Sequence, residues 1–354
     1  MATHKEFVFI NILKKEQMEL HKIDTEQPFI GYGESRQGGR NENQDSFGFA
    51  DTKFGLLVTV CDGMGGGPGG KTASGIAVKE IIDGVMEAND DETPSNALLK
   101  AIHRANLAIL SAVDENPRLK GMGTTCTALL INKESAVVAH VGDSRVYQLR
   151  HGRKVFRTFD HSLVFGLVKE KVITEEQARL SDQSNIITRA LGLDTKLEID
   201  IAERAYEKGD RFMLCTDGIH GTMPEKQLIE KASKGKNIGQ VVDDIATQVD
   251  GDGRKKGGGH DNLTLSIIEP QKHSILKEKM STRNKTILVG IAVLLLASLV
   301  CNISQCSKNK TLKKQKSDIT VSIDSLSIEK LKKTDTIEVS ANGKTVKLVK
   351  SQKN

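Results

Sequence analysis

Two apolar runs in this chain stop at the same pair of residues. Val58-Thr59-Val60-Cys61 runs into Asp62-Gly63, and Phe212-Met213-Leu214-Cys215-Thr216 runs into Asp217-Gly218. A short, β-branched apolar run reads as a buried strand. A carboxylate at its mouth therefore stands on rigid backbone at the edge of a core, and the glycine after it lets the chain turn. A third run, Ala136 to Val141, ends in Gly142-Asp143-Ser144-Arg145. Asp261-Asn262 opens a fourth, Leu263 to Ile268, and Arg40-Asn41-Glu42-Asn43-Gln44-Asp45 lies near the start. Carboxylates gathered at strand ends repel one another unless cations lie between them. An oxygen-only donor set favours hard ions such as Mg2+ or Mn2+.

The 354 residues suffice for one large domain or two small ones. The net charge of +5 conceals a split: residues 271–354 carry 17 Lys and Arg against 6 Asp and Glu, leaving 34 against 40 on the rest. The basic surplus belongs to the C-terminal part, so the charge makes no case for nucleic-acid binding. Cys61, Cys126 and Cys215 lie in strand-like runs and read as buried small hydrophobes. No cysteine or histidine spacing suggests zinc, and the usage fits a reducing compartment.

Residues 1–27 form a weakly patterned extension with a candidate edge strand over Glu6 to Ile12. Strands are expected over Phe54 to Cys61, Thr125 to Ile131, Ser135 to Val141 and Arg145 to Leu149, the last three as an antiparallel meander. Helices are expected over Ala73 to Met86 and Ala97 to Val113, the second opened by Thr93-Pro94. Thr174-Glu175-Glu176-Gln177 reads as a capping box. Grouped strands and grouped helices indicate an α+β layered sandwich.

No charged residue occurs from Thr286 to Ser307, a stretch of 22 positions, long enough for a helix to cross a bilayer. The expected layout is a catalytic region over 28–270, a basic linker over 271–285, a transmembrane helix over 286–305 and a tail over 306–354. The flanking basic residues tie, so they do not orient the span. With no long apolar stretch in residues 1–27, the expectation is a single-pass protein of the plasma membrane, Thr286–Ile303 in the bilayer. The catalytic region would be cytoplasmic and the tail outside. In the tail, Asn342-Gly343 is a hairpin signal.

Gly65-Gly66-Gly67-Pro68-Gly69-Gly70-Lys71-Thr72 matches the G-x-x-x-x-G-K-[ST] phosphate loop, which makes a P-loop NTPase the competing reading. That reading leaves Arg40, Asp45, Asp143 and Asp261 without roles, and it interposes Asp62-Gly63-Met64 between strand and loop. A catalytically dead scaffold is disfavoured by the full set of carboxylates.

One series takes in all these residues. Arg40-x-x-Asn43-Gln44-Asp45, Asp62-Gly63-Met64-Gly65-Gly66, Gly70-x-x-Ala73-Ser74, Gly123-Thr124-Thr125 and Gly142-Asp143-Ser144-Arg145 come first. Asp160-His161-Ser162, Arg189-Ala190-Leu191-Gly192, Thr216-Asp217-Gly218 and Asp261-Asn262 follow in that order. Over about residues 28–268 this resembles the bacterial metal-dependent protein Ser/Thr phosphatases of type 2C, the PPM family. The resemblance implies a four-layer α-β-β-α sandwich of two antiparallel sheets flanked by helices, with two Mn2+ or Mg2+ ions in a channel at one end. Asp62 would bridge both ions, the Gly63 carbonyl would ligate one, and Asp217 and Asp261 the other. Gln44 and Asp45 would hold metal-bound waters. Asp143 with Asp217 would form a third, weaker site, and Arg40 would grip the substrate phosphate. Asp160 to about Ser184 would be a flap beside the channel. Phosphoproteins would be the partners, in opposition to a Ser/Thr kinase. Met64 stands where some eukaryotic members have a histidine, leaving His161 as a weak candidate proton donor and His140, His220 and His260 as structural. Ser144 and Ser162 are read as structural too.

Overall fold

A computed structural model describes residues 8–10, 20–65, 69–276, 336–341 and 344–349. The chain divides into two compact units, residues 1–279 and 280–354. The first begins with strands β1 (Val8–Ile10), β2 (Leu20–Ile23), β3 (Phe29–Arg36), β4 (Asp45–Thr52) and β5 (Gly55–Met64). Helices α1 (Gly69–Glu87) and α2 (Pro94–Glu115) follow, then β6 (Gly123–Thr124), β7 (Cys126–Ile131), β8 (Ala136–Val141), β9 (Arg145–Arg150) and β10 (Arg153–Arg157). Short helices α3 (Leu163–Lys169) and α4 (Glu175–Arg179) occupy the flap region. Next come β11 (Asp200–Arg204), β12 (Arg211–Cys215), α5 (Asp217–His220), α6 (Glu225–Ser233), α7 (Ile238–Lys255) and β13 (Leu263–Pro270).

The strands form two antiparallel sheets. One runs β1-β4-β5-β7-β8-β11 with β6 on β5; the other runs β10-β9-β12-β13-β3-β2. The apolar runs are continuous because both faces of each sheet are buried. On β5, Leu57 and Cys61 face α1 and α2, whereas Leu56, Val58 and Val60 meet Phe212 and Leu214 of the second sheet. On β12, Met213 and Cys215 face α6 and α7. Period-two alternation thus yields three apolar layers, with the four-layer order helix, sheet, sheet, helix. Burial drives the Cys61 thiol above its ordinary range and that of Cys215 to about 12, so both stay protonated core residues.

Thr93 caps α2 by accepting the Asn96 amide, with Pro94 in the first turn. The box at Thr174 and Gln177 forms reciprocally at the start of α4. The edge strand expected over Glu6 to Ile12 is β1, paired with β4.

Three expectations need correction. The meander breaks after β8: β7 and β8 pair, but β9 joins β10 and β12 in the other sheet. Gly142, at φ +103°, turns the chain across the sandwich instead of back along β8. Strand β5 does not stop at Cys61 but continues through Met64, paired with β4 and β6. Helix α1 begins at Gly69, four residues ahead of Ala73, with Gly70 against Gln44 and the Gly63 carbonyl.

Among the described residues no helix is long and apolar enough to cross a membrane. The apolar run Thr286–Ser307, and with it the expected span, lies outside the described residues. In the second unit, β14 (Thr336–Ala341) and β15 (Lys344–Val349) pair antiparallel on either side of Asn342-Gly343.

Candidate metal centre

The site forms where the two sheets open at one end of the sandwich. Asp45 and Asp62 are register partners on β4 and β5. Thr216 and Asp217 lie at the mouth of β12, Asp143 follows β8, and Asp261 precedes β13. A cleft of about 570 Å³ is lined by Arg40, Gln44, Asp62, Gly63, Asp143, Asp217 and Asp261, among others. The structure therefore brings together every residue assigned above to the ions or the phosphate except Asp45, which lies behind the cleft wall. Its Oδ2 accepts hydrogen bonds from Thr216 Oγ1 at 3.0 Å and Thr264 Oγ1 at 2.6 Å, tying the two sheets together.

The backbone around these acids is tightly held. The Asp62 amide donates to Thr125 Oγ1 at 2.9 Å, and its carbonyl accepts from Thr124 Oγ1 and the Thr125 amide, each at 2.8 Å. Asn262 clamps the 37–44 loop: its Oδ1 accepts from the Gln44 amide, and its Nδ2 donates to the Gln37 and Glu42 carbonyls. Ser74 Oγ donates to the Gln44 carbonyl at 2.6 Å. The supporting threonines and the clamp have no sequence signal, because a polar residue at a strand end carries no sign of its partner. Asn185 and Ile187, just after the flap region, also line the cleft and have no sequence signal.

Charge balance is the unusual property of the cleft. Asp261 Oδ2 accepts from Arg40 Nη2 at 2.7 Å, which is the one ion pair within the lining among the described residues. Burial and the neighbouring carboxylates push Asp62 and Asp143 well above the carboxylate range. Burial first, then the charge of Asp217, raises Asp45 to about 7. Burial and Asp261 raise Asp217 to about 6. Asp45 Oδ1 and Asp217 Oδ1 are buried without a hydrogen-bond partner. Orphaned carboxylate oxygens in an oxygen-only cluster are what hard divalent cations require, so the residues fit Mn2+ or Mg2+.

This has a measurable consequence. Between about pH 4 and 7 the folded, metal-free protein holds more protons on Asp45 and Asp217 than the unfolded chain does. Its stability therefore falls as pH rises through that window. In chelator, the melting temperature is expected to be lower at pH 8 than at pH 5.5. Added Mn2+ is expected to raise it most at pH 8, where protons no longer compete. Burial lowers His140, His161 and His220, whose neutral forms favour folding as pH rises through the same window. The deciding comparison is therefore with Asp62→Asn: a pH-dependent fall no smaller in that variant than in the parent would contradict the mutual repulsion described here.

No histidine lines the cleft among the described residues. His161, the candidate proton donor, faces away: its Nδ1 accepts from the Gly142 amide, and its Nε2 lies 3.2 Å from Asp200 Oδ2. His220 Nε2 donates to the Asp143 carbonyl, and His260 Nε2 is 2.8 Å from Asp250. Ser162 caps α3, and Ser144 bonds Thr125. The glycine loop does not sit in a P-loop architecture. Strand β5 belongs to an antiparallel sheet, and β12, the supposed acidic partner strand, belongs to the other sheet. Lys71 approaches Glu42 at 3.9 Å.

A sandwich of paired antiparallel sheets with an oxygen-rich acidic cleft at one end is the architecture of a divalent-metal-binding protein. The Protein phosphatase 2C family profile matches residues 32–255, and the chain belongs to that family. It is 32% identical over 234 residues to the Serine/threonine phosphatase stp of Listeria welshimeri, covering 65% of this chain and 91% of that one. The crystal structure of the Mycobacterium tuberculosis serine/threonine phosphatase PstP/Ppp superposes with a TM-score of 0.61 at 30% identity, covering 69% of this chain and 99% of that one. The PstP catalytic domain in complex with two manganese ions gives 0.57 at 29% identity, covering 68% and 97%. The chain is a metal-dependent Ser/Thr protein phosphatase of the 2C type.

Proposed function

We propose that the chain removes phosphate from phosphoserine and phosphothreonine in proteins at a centre of two Mn2+ or Mg2+ ions. Asp62, the Gly63 carbonyl, Asp217 and Asp261 would hold them, and Asp143 with Asp217 would take a third, weaker ion. The observation that carries this reading is the gathering of Asp62, Asp143, Asp217 and Asp261 in one cleft with a single arginine among them. When bound, such ions neutralise a phosphate monoester dianion and lower the pKa of a water for in-line attack.

The chain's own residues supply the rest. Asp45, pinned by Thr216 and Thr264, and Gln44, held through its backbone by Asn262 and Ser74, would orient water beside the ions. Arg40 is half-exposed, so it can exchange Asp261 for substrate phosphate oxygens, a charge-assisted pair of the same kind. Asn185 and Ile187 would meet the protein substrate at the flap side. With no histidine in the lining, the leaving alkoxide would take its proton from solvent.

We further propose that Thr286–Ile303 anchors the enzyme in the plasma membrane, catalytic region inside, tail outside, where it would oppose a Ser/Thr kinase. The uncharged 22-residue run supports the anchor. A dual reporter fused after Asn354 should report the outer side.

The test of the activity is hydrolysis of p-nitrophenyl phosphate and of a phosphothreonine peptide by the full chain, with and without Mn2+, beside an ATPase assay. Mn2+-dependent phosphate release without ATP turnover is expected. Lys71→Ala is expected to keep kcat/KM within about threefold, because the partly exposed pair with Glu42 is weak. Loss of all activity in that variant, with saturable ATP binding by the parent, would restore the NTPase reading.

A further inference from the structure

A second cluster of metal-binding donors lies outside the carboxylate cleft. His140 on β8 and Asp200 on β11 are register partners, so their side chains leave the same face of the sheet. His161, at the base of the flap, packs over His140 with ring centroids 4.6 Å apart. One donor atom from each of the three lies within 4.8 Å of the other two. The independent observation is His140 itself. It is 1% exposed, and neither ring nitrogen makes a hydrogen bond of good geometry, only weak approaches to the backbone of Gly142 and Ser144, an arrangement that natural cores rarely leave unexplained.

We propose that His140, His161 and Asp200 form a site for a borderline transition-metal ion, represented by Zn2+, separate from the Mn2+ or Mg2+ centre. Two imidazoles and one carboxylate are a donor set that Zn2+ accepts and that Mg2+ does not favour. Both imidazoles are in the form that ligates. Burial depresses His140 to about 3, and burial lowers His161 as well, so each is neutral near pH 7. Asp200 is exposed and gives a path of entry. Tetrahedral Zn2+ with bonds of about 2.0–2.1 Å sets its ligands about 3.4 Å apart. The His161–Asp200 separation of 3.2 Å already suits this, so any closure, roughly 1.4 Å at most, is between His140 and the other two.

Two contacts compete with the ion. Arg189 Nη1 lies 3.3 Å from both His161 Nε2 and Asp200 Oδ1. Its Nη2 already holds Glu198 at 2.7 Å, so the guanidinium has a partner to swing to. An ion on Nε2 also places the His161 ring proton on Nδ1, which releases the Gly142 amide. Both contacts weaken binding without blocking it, and the first makes a specific prediction.

The experiment is titration of the full chain, pre-saturated with Mn2+, with Zn2+ against a chromophoric chelator. One additional Zn2+ is expected in the parent. Asp200→Asn and His140→Gln should each weaken it at least tenfold, and Arg189→Ala should tighten it. Co2+ in place of Zn2+ should give visible bands characteristic of nitrogen ligation that vanish in Asp200→Asn. Asp200 is exposed, so that variant reports even if His140→Gln fails to fold. Zn2+ uptake that survives Asp200→Asn but is lost in Asp62→Asn would mean that Zn2+ enters the carboxylate centre, and the proposal would fall. It would also fall if no Zn2+ bound beyond Mn2+ saturation. Neither result depends on phosphatase activity.

Discussion

Asp62→Asn is expected to lose at least a hundredfold in kcat/KM at saturating Mn2+ and yet to melt higher than the parent in chelator at pH 8. Partners that merely orient metal ligands cost 10–100-fold when removed, and a carboxylate proposed as a ligand of the ions should cost more. The gain in stability has a separate cause. Burial and the charges of Asp45, Asp217, Asp143 and Asp261 hold Asp62 well above the carboxylate range. Ionising it at pH 8 without a cation therefore opposes folding. Asparagine removes that charge at nearly constant volume. The fold should tolerate it, because the hydrogen bonds that fix this position run through the Asp62 backbone to Thr124 and Thr125. Paired rate and melting measurements check both halves. A variant that is inactive but less stable in chelator would point to a structural role for the Asp62 carboxylate instead.

That pairing of lost activity with gained stability explains why so much of the site could be read from sequence. Carboxylates at the mouths of apolar strands are costly to the fold, and the cost is visible as a local conflict between an apolar run and its terminal charge. Asp62, Asp217 and Asp143 each show it. The three-layer core was legible for a related reason: runs such as Val58–Cys61 and Phe212–Cys215 have no polar face, so both sides must be covered. Other features depend on long-range geometry. Nothing in Gly142-Asp143-Ser144 distinguishes a turn back along β8 from a crossing to the second sheet, and there the expected meander gives way to the crossing. Thr216 and Thr264 lie 48 residues apart yet hold the same oxygen of Asp45. Arg40 reads as a phosphate ligand, but its partner in the structure is Asp261, 221 residues away.

The glycines at the cleft read in sequence as turn-formers and as a possible phosphate cradle, yet in the structure they permit close approach. Gly63→Ala is expected to destabilise the protein by about 3 kcal/mol, the upper part of the range for overpacking. For a unit of this size that lowers the melting temperature by roughly 6–12 °C. A Cβ at Gly63 would lie 2.1 Å from the Gly70 carbonyl oxygen and 2.6 Å from that of Gln44, and both obstacles are backbone. No rotamer change can relieve them, so β5 must part from the start of α1 or from the loop before β4. Either movement displaces Gln44, whose carbonyl accepts the Gly63 amide at 3.2 Å and Ser74 Oγ at 2.6 Å. It also moves the Gly63 carbonyl relative to Asp62. Mn2+ affinity should fall with stability, and excess Mn2+ should recover only part of the lost activity. Gly152→Ala, where a Cβ would meet nothing within 4 Å, is the comparison. It carries the strain of a positive φ, +75°, without any clash. Thermal melts and Mn2+ titrations of the two variants separate backbone collision at the cleft from ordinary glycine strain. Equal losses in both would mean that the close approach at Gly63 has no special role in building the centre.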